Sequence, residues 1–269
     1  MKDGTISTAA AACVLALCPS PASAQEPHLH VNTRWRECSI QLDSSLTQAA
    51  WRQFTGEAAL VAYFRPLADA RPMGAGKFEL SILQGTTRID DAEAAWNDTF
   101  VHPDSAHWLF EGAGLSFPSL RLRAGITERL DVGAYFTKNP GANYGFYGAQ
   151  VQYNLLHDAR RNWDASARAS FVSLYGPEDV DLTVYGLDLL ASKRVPVLSR
   201  RASVSPYAGV STFLSRSHEK TAAVTLDDES VLGVQAMVGA VAQISVARLA
   251  VEHSFATVST TTLKLGVGF

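Results

Sequence analysis

Most of the chain alternates. In GFYGAQVQYNLL, Gly145, Tyr147, Ala149, Val151, Tyr153 and Leu155 fall on one side, and Phe146, Gly148, Gln150, Gln152 and Asn154 on the other. A repeat of two marks a strand with two unlike faces, whereas a helix groups its apolar residues three and four apart. SLRLRAGI sets Leu120, Leu122, Ala124 and Ile126 against Arg121 and Arg123. WDASARASF sets Trp163, Ala165, Ala167, Ala169 and Phe171 against Asp164, Ser166, Arg168 and Ser170. LGVQAMVGAVAQI sets Leu232, Val234, Ala236, Val238, Ala240, Ala242 and Ile244 against Gly233, Gln235, Gly239 and Gln243. The pattern predicts eleven strands, at 55–64, 77–87, 117–126, 130–138, 144–155, 163–175, 181–192, 203–215, 231–244, 247–256 and 260–269.

Most of these segments are near ten residues or longer. Globular strands average about 5–6 residues. A tilted strand crossing a bilayer needs about 9–11. The fold class expected is therefore all-β: a single antiparallel transmembrane β-barrel. A soluble sandwich is the rival, and it would have sheet edges to protect. Trp163, Tyr144, Tyr147, Tyr175 and Phe136 fall near strand ends, where such barrels carry aromatic girdles.

Connections add a check. With Phe269 placed at the periplasmic end, the turns at 127–129 and 245–246 fall on that side, and the long connections 88–116 and 216–230 fall outside. Bacterial barrels place short turns and long loops in that way, and they have an even number of strands. A strand hidden in HLHVNTRWRECSIQL gives twelve, the main expectation; if 55–64 is not a wall strand, the number is ten. SLTQAAWRQ, at 45–53, predicts a short helix able to plug the lumen, and DDAEAAWND, at 90–98, another in the first long loop. Pro206 should lie near a strand start or at a bulge, because proline donates nothing to the ladder.

The first residues follow a different rule. Lys2 precedes the apolar run AAAACVLALC, and PSPASA follows it. A basic start, a short apolar core and a small-x-small site at Ala22-Ser23-Ala24 predict a signal peptide, cleaved after Ala24. The expected organisation is a signal peptide at 1–24, an N-terminal segment with a short helix or first strand at 25–54, and the barrel at 55–269. Cys13 and Cys18 leave with the signal, and the single remaining cysteine, Cys38, cannot form an internal bridge. The chain is 47% hydrophobic and 18% charged, with net charge −3. That balance lacks the clustered basic face nucleic acid requires.

The closing TTTLKLGVGF, with Leu263, Leu265, Val267 and Phe269 at alternate positions, resembles the C-terminal strand of Gram-negative outer-membrane β-barrel proteins. GITERLDVGAYF resembles periplasmic hairpins of such barrels. The resemblance implies an outer-membrane location, with membrane lipid and the outer-membrane assembly machinery as partners. It also implies that Phe269 pairs with the first strand and faces lipid.

Candidate chemistry is sparse. His253 and Ser254 are adjacent in a predicted strand and so point to opposite faces, which argues against a lipid-modifying His/Ser site. His102, Asp104 and His107 are close in a predicted loop, where a solvated loop is the simpler reading than a metal site. No catalytic residue, metal or cofactor is expected. The lumen remains: Glu79, Arg121, Arg123, Asp131, Asp164, Arg168, Asp188, Arg248, Glu252 and Lys264 all fall on inward faces. Glu252 and Lys264 should meet across a turn near Val258, and Arg123 and Asp131 across the 127–129 turn. Such pairs either brace a filled lumen or line a path for a small solute. The expected function is a narrow channel or small-molecule transport or binding barrel. The alternative is a non-transporting structural or surface-interaction barrel.

Overall fold

The structure, a computed structural model, describes residues 31–103, 115–197 and 202–269. The expected signal peptide, Asp104 and His107 lie outside them. Ten long strands form the wall: β1 Phe78–Thr87, β2 Leu115–Gly125, β3 Leu130–Lys138, β4 Gly145–Asp158, β5 Trp163–Tyr175, β6 Val180–Lys193, β7 Ala202–Glu219, β8 Glu229–Ile244, β9 Ala247–Phe255 and β10 Thr260–Gly268. Each pairs antiparallel with the next, and β10 returns to β1, so the sheet closes. Phe78 and Phe269 complete the seam by exchanging backbone hydrogen bonds of 2.8 and 3.0 Å, with their rings 5.2 Å apart.

The end of the barrel that carries this pair is called the lower rim. β2–β3, β4–β5, β6–β7 and β8–β9 are joined at that end, and β1–β2, β3–β4, β5–β6, β7–β8 and β9–β10 at the other, the upper rim.

The wall is ten strands, not twelve. Residues 55–64, expected as a strand, belong to helix α1, Gln48–Ala62, apart from the last two. Thr47 caps its start by accepting from the N–H of Ala50. The run EAALVA is short and apolar, so it suits either period, and its alanines and leucine favour a helix. The boundary expected at residue 55 therefore falls inside a helix, and the wall begins at Phe78. The hidden strand is only Ser39–Ile40, which pairs with Phe100–Val101 in a small separate sheet. The loop helix expected at 90–98 is the single turn Ala94–Asn97, α2. Pro206 sits inside β7, where the neighbouring ladder breaks. Pairing there runs Ser203↔Pro196 and Val204↔Val195, then resumes at Tyr207↔Ser192.

Alternation along the strands separates two environments. Outward positions keep large apolar residues exposed, among them Ile82, Leu120, Leu122, Leu187, Leu189, Leu232, Val234, Leu263 and Leu265. Phe136, Tyr175, Tyr147, Phe171 and Tyr185 form a chain of ring contacts around the upper half of this outer surface. Tyr144, expected in that girdle, instead points inward and packs on Phe100 and Phe146.

Candidate functional site

The bore is filled by the protein's own chain. Residues 31–47 lie across the upper rim. The N–H of Ile40 donates to Asn143 Oδ1 at 2.9 Å, the Asn143 amide returns to the Ile40 carbonyl at 2.6 Å, and the N–H of Leu42 donates to Asp179 at 3.1 Å. Cys38 Sγ lies 3.1 Å from His102 Nδ1 in this cap. Burial and the charges of Glu37 and Asp91 push the Cys38 thiol up to about 12.

Below the cap α1 descends through the upper half of the barrel. A helix with side chains is about 10–12 Å across, and eight strands leave an interior just wide enough for side chains. Ten strands admit this helix where inward residues are small. At Gly186 an added Cβ would stand 2.4 Å from Tyr63 Oη. Trp51, Phe54, Leu60 and Phe64 are fully buried and share one core with inward-facing Phe146, Val172, Leu174, Val184 and Phe213. Phe54 stacks on Trp51 and meets Trp96 edge-on. The upper half of the inner face is thus a hydrophobic core.

At mid-depth the helix ends and the chain continues extended. Arg65 closes the helix by donating to the carbonyls of Leu60, Val61 and Tyr63, groups that have no partner within a helix. Leu67 adopts φ 43° and its N–H donates to Glu252 at 3.0 Å. The wall then holds the extended backbone with side chains. Arg168 donates to the Phe64 carbonyl, and Arg121 to those of Arg65 and Pro66. Lower down, the N–H of Ala70 donates to Ser192 and its carbonyl accepts from Asn154, each at 3.0 Å. The N–H of Met73 reaches both oxygens of Asp131 at 3.2 Å, and the Arg71 carbonyl accepts from Arg123. At the lower rim Gly76 and Gly125 bond backbone to backbone at 3.0 Å.

All ten expected lumen residues face inward. Nine are almost fully buried, and Arg248, nearest the lower mouth, is about one-fifth exposed. Arg123 and Asp131 pair as expected, at 2.5 Å. Arg168 donates through Nε to Asp188 at 2.7 Å, and the Tyr63 hydroxyl donates to the same carboxylate at 2.8 Å. Asp164 contacts His157 at 2.6 Å. Glu252 and Lys264 do not meet. The β9–β10 register sets Glu252 opposite Thr262, because the turn centres one residue earlier than expected and so shifts partners by two. Glu252 instead accepts from Tyr207 at 2.7 Å, while Lys264 and Arg248 both pair with Glu79, at 2.6 and 2.8 Å.

Tyr63, Arg65 and Tyr207 are part of this network without having been anticipated. Tyr207 shares the inward parity of Ser203, Ser205 and Ser211, the one signal that marks it. Beside Phe64, Arg65, Tyr135 and Thr262 lies a cavity of about 30 Å³, room for a water or two.

No protein-family model and no curated protein matches the chain. Among solved structures, the beta domain of the Bordetella autotransporter Brka is 12% identical, covering 72% of this chain and 100% of that one, at a TM-score of 0.40. LpxR from Salmonella typhimurium is 13% identical, covering 70% and 99%, at 0.35. The attachment invasion locus protein Ail of Yersinia pestis is 14% identical, covering 72% and 99%, at 0.29. At these values the similarities say nothing about activity.

His253 faces outward on β9, bonded to Thr261 at 2.9 Å, while Ser254 faces inward and is buried. The two are on opposite sides of the wall.

Proposed function

We propose that the protein is an integral outer-membrane β-barrel that does not conduct, and that the cap formed by residues 31–47 with the upper loops is its working surface. The outward apolar surface, the closure of the sheet and strands of nine residues or more support membrane insertion. At the lower rim β8 and β9 are joined by the two-residue turn 245–246, and the long stretch of sequence between β1 and β2 joins strands whose ends lie at the upper rim. That distribution favours a periplasmic lower rim and an external upper one.

One observation carries the non-conducting reading: Trp51, Phe54, Leu60 and Phe64 are buried in a core shared with the wall. Returning four such side chains to water costs about 6–12 kcal/mol at about 1.5–3 each. That is comparable to the whole stability of an ordinary domain, about 5–15 kcal/mol. An inserted segment held at that cost is a fixture, not a gate. The channel reading draws its support from the lower bore, where the inserted segment is held by hydrogen bonds that water could replace.

Two measurements test the proposal. Membrane-extracted protein should show a heat-dependent gel shift; a freely soluble monomer without detergent would overturn the barrel in the membrane. In planar bilayers the full chain should give no conductance steps. Reproducible steps with ions or small sugars would restore the channel.

A further inference from the structure

A group of cations at the lower rim takes no part in filling the bore. Trp163 on β5 pairs with Lys193 on β6, and the N–H of Arg194 donates to the Asn162 carbonyl at 2.9 Å. This brings Arg160, Arg161, Lys193 and Arg194 onto one arc. Arg160, Arg161 and Lys193 are exposed, and Arg194 is half-buried. Lys193 Nζ stands 5.4 Å from the centre of the Trp163 ring, which is itself 43% exposed. Asp158, the carboxylate of the same turn, is engaged by the backbone: its Oδ1 accepts the N–H groups of Arg160 and Arg161 at 3.0 and 3.1 Å.

Among the described residues none of the four cations makes an ion pair. At the upper rim Lys220 pairs with Asp181, His218 with Asp228 and Arg52 with Glu229, while Lys138 and Arg216, which make no ion pair among the described residues, stand on separate strands and form no such cluster. Next to the cationic arc the outer wall exposes Leu155, Leu156 and Val195. A tryptophan between apolar wall and charged turn is the arrangement found where a protein crosses from hydrocarbon to headgroups.

We propose that this arc binds an anionic glycerophospholipid. Its phosphate would lie among Arg160, Arg161 and Lys193, and its acyl chains would run along Leu155, Leu156 and Val195. Charge decides the class: clustered unpaired cations favour an anionic headgroup over a zwitterionic one. The proposal rests on the barrel lying in a membrane with this rim at the lipid surface.

The test is native mass spectrometry of the full chain from mixed micelles holding equal phosphatidylglycerol and phosphatidylcholine, with and without inorganic phosphate. The wild type should retain phosphatidylglycerol. The variant R160Q/R161Q/K193Q should lose that preference by on the order of a hundredfold, and the upper-rim control R216Q should keep it. All three substitutions lie on exposed positions, and a retained heat-dependent gel shift certifies the fold. Equal retention of both lipids, an unchanged preference in the triple variant, or displacement by inorganic phosphate alone would overturn the lipid site while leaving the barrel intact. A chain that fails to enter micelles at all would count against the membrane reading itself.

Discussion

Glu79 on β1 and Lys264 on β10 face each other across the seam that closes the barrel, with Nζ 2.6 Å from Oε1 and both side chains about 1% exposed. Arg248 reaches the other carboxylate oxygen at 2.8 Å. One acid thus serves two cations at the joint between the first and last wall strands.

The two sides of that pair should not be equally sensitive. Glu79→Gln strands Lys264 and Arg248 without a counter-charge and is expected to cost about 3–5 kcal/mol. Lys264→Met leaves Glu79 with Arg248 and should cost less. Unfolding in urea, followed by the gel-shift fraction in micelles, gives the ranking; equal losses would refute this account of the seam.

Within the upper bore, Trp51→Ala and Phe54→Ala should each cost about 3–5 kcal/mol, as large-to-small changes in a packed core do. Bilayer recordings of the same variants should stay silent. A small loss of stability together with open conductance would show that α1 is a loosely held gate.

Arg168 is expected to fasten the extended segment. Arg168→Met leaves Asp188 buried without its cation and frees the Phe64 carbonyl. Hydrogen exchange over residues 64–70 should quicken, while exchange in α1 above Ala58 changes little. Uniform quickening along the whole inserted segment would contradict this division.

Gly125 tolerates no side chain, since an added Cβ would stand 2.0 Å from the Gly74 carbonyl oxygen. Gly125→Ala should cost about 1–3 kcal/mol through overpacking. The damage should appear as faster proteolysis at the lower rim, with the upper cap unaffected.

Cys38 provides a chemical probe of the cap. A thiol pushed up to about 12 holds little thiolate at pH 8, and the thiolate is the reactive form. Alkylation by iodoacetamide at pH 8 should be on the order of a thousandfold slower than in the unfolded chain. Equal rates would mean that residues 31–47 do not pack on the upper loops.

The wall was legible because its two faces are chemically unlike. Leu120, Leu122, Leu263 and Leu265 alternate with Arg121, Arg123, Thr262 and Lys264, and the ten wall strands predicted from this pattern agree with those observed to within a few residues at their ends. The inserted segment was only half legible. Residues 45–53 predicted a helix, but the alanine-rich run after Thr55 has apolar residues on every side, so its period could not decide between helix and strand. The ten inward charges followed from parity alone. Their partners did not, because a one-residue error in a hairpin centre moved Glu252 from Lys264 to Thr262. The hydrophobic core in the upper bore escaped notice because Phe146, Val172 and Phe213 share strands with polar inward residues, and nothing local marks the depth at which a helix will press against them.

The inserted segment has its early residues above and its exit below, where Lys77 leads into β1. A hoop already shut could be furnished with these contents only by drawing the unfolded cap and helix upward through its whole length. Making the last joint, where the terminal phenylalanine meets Phe78, around a thread already in place spares the chain that passage, so the direction in which the chain runs favours one order of construction.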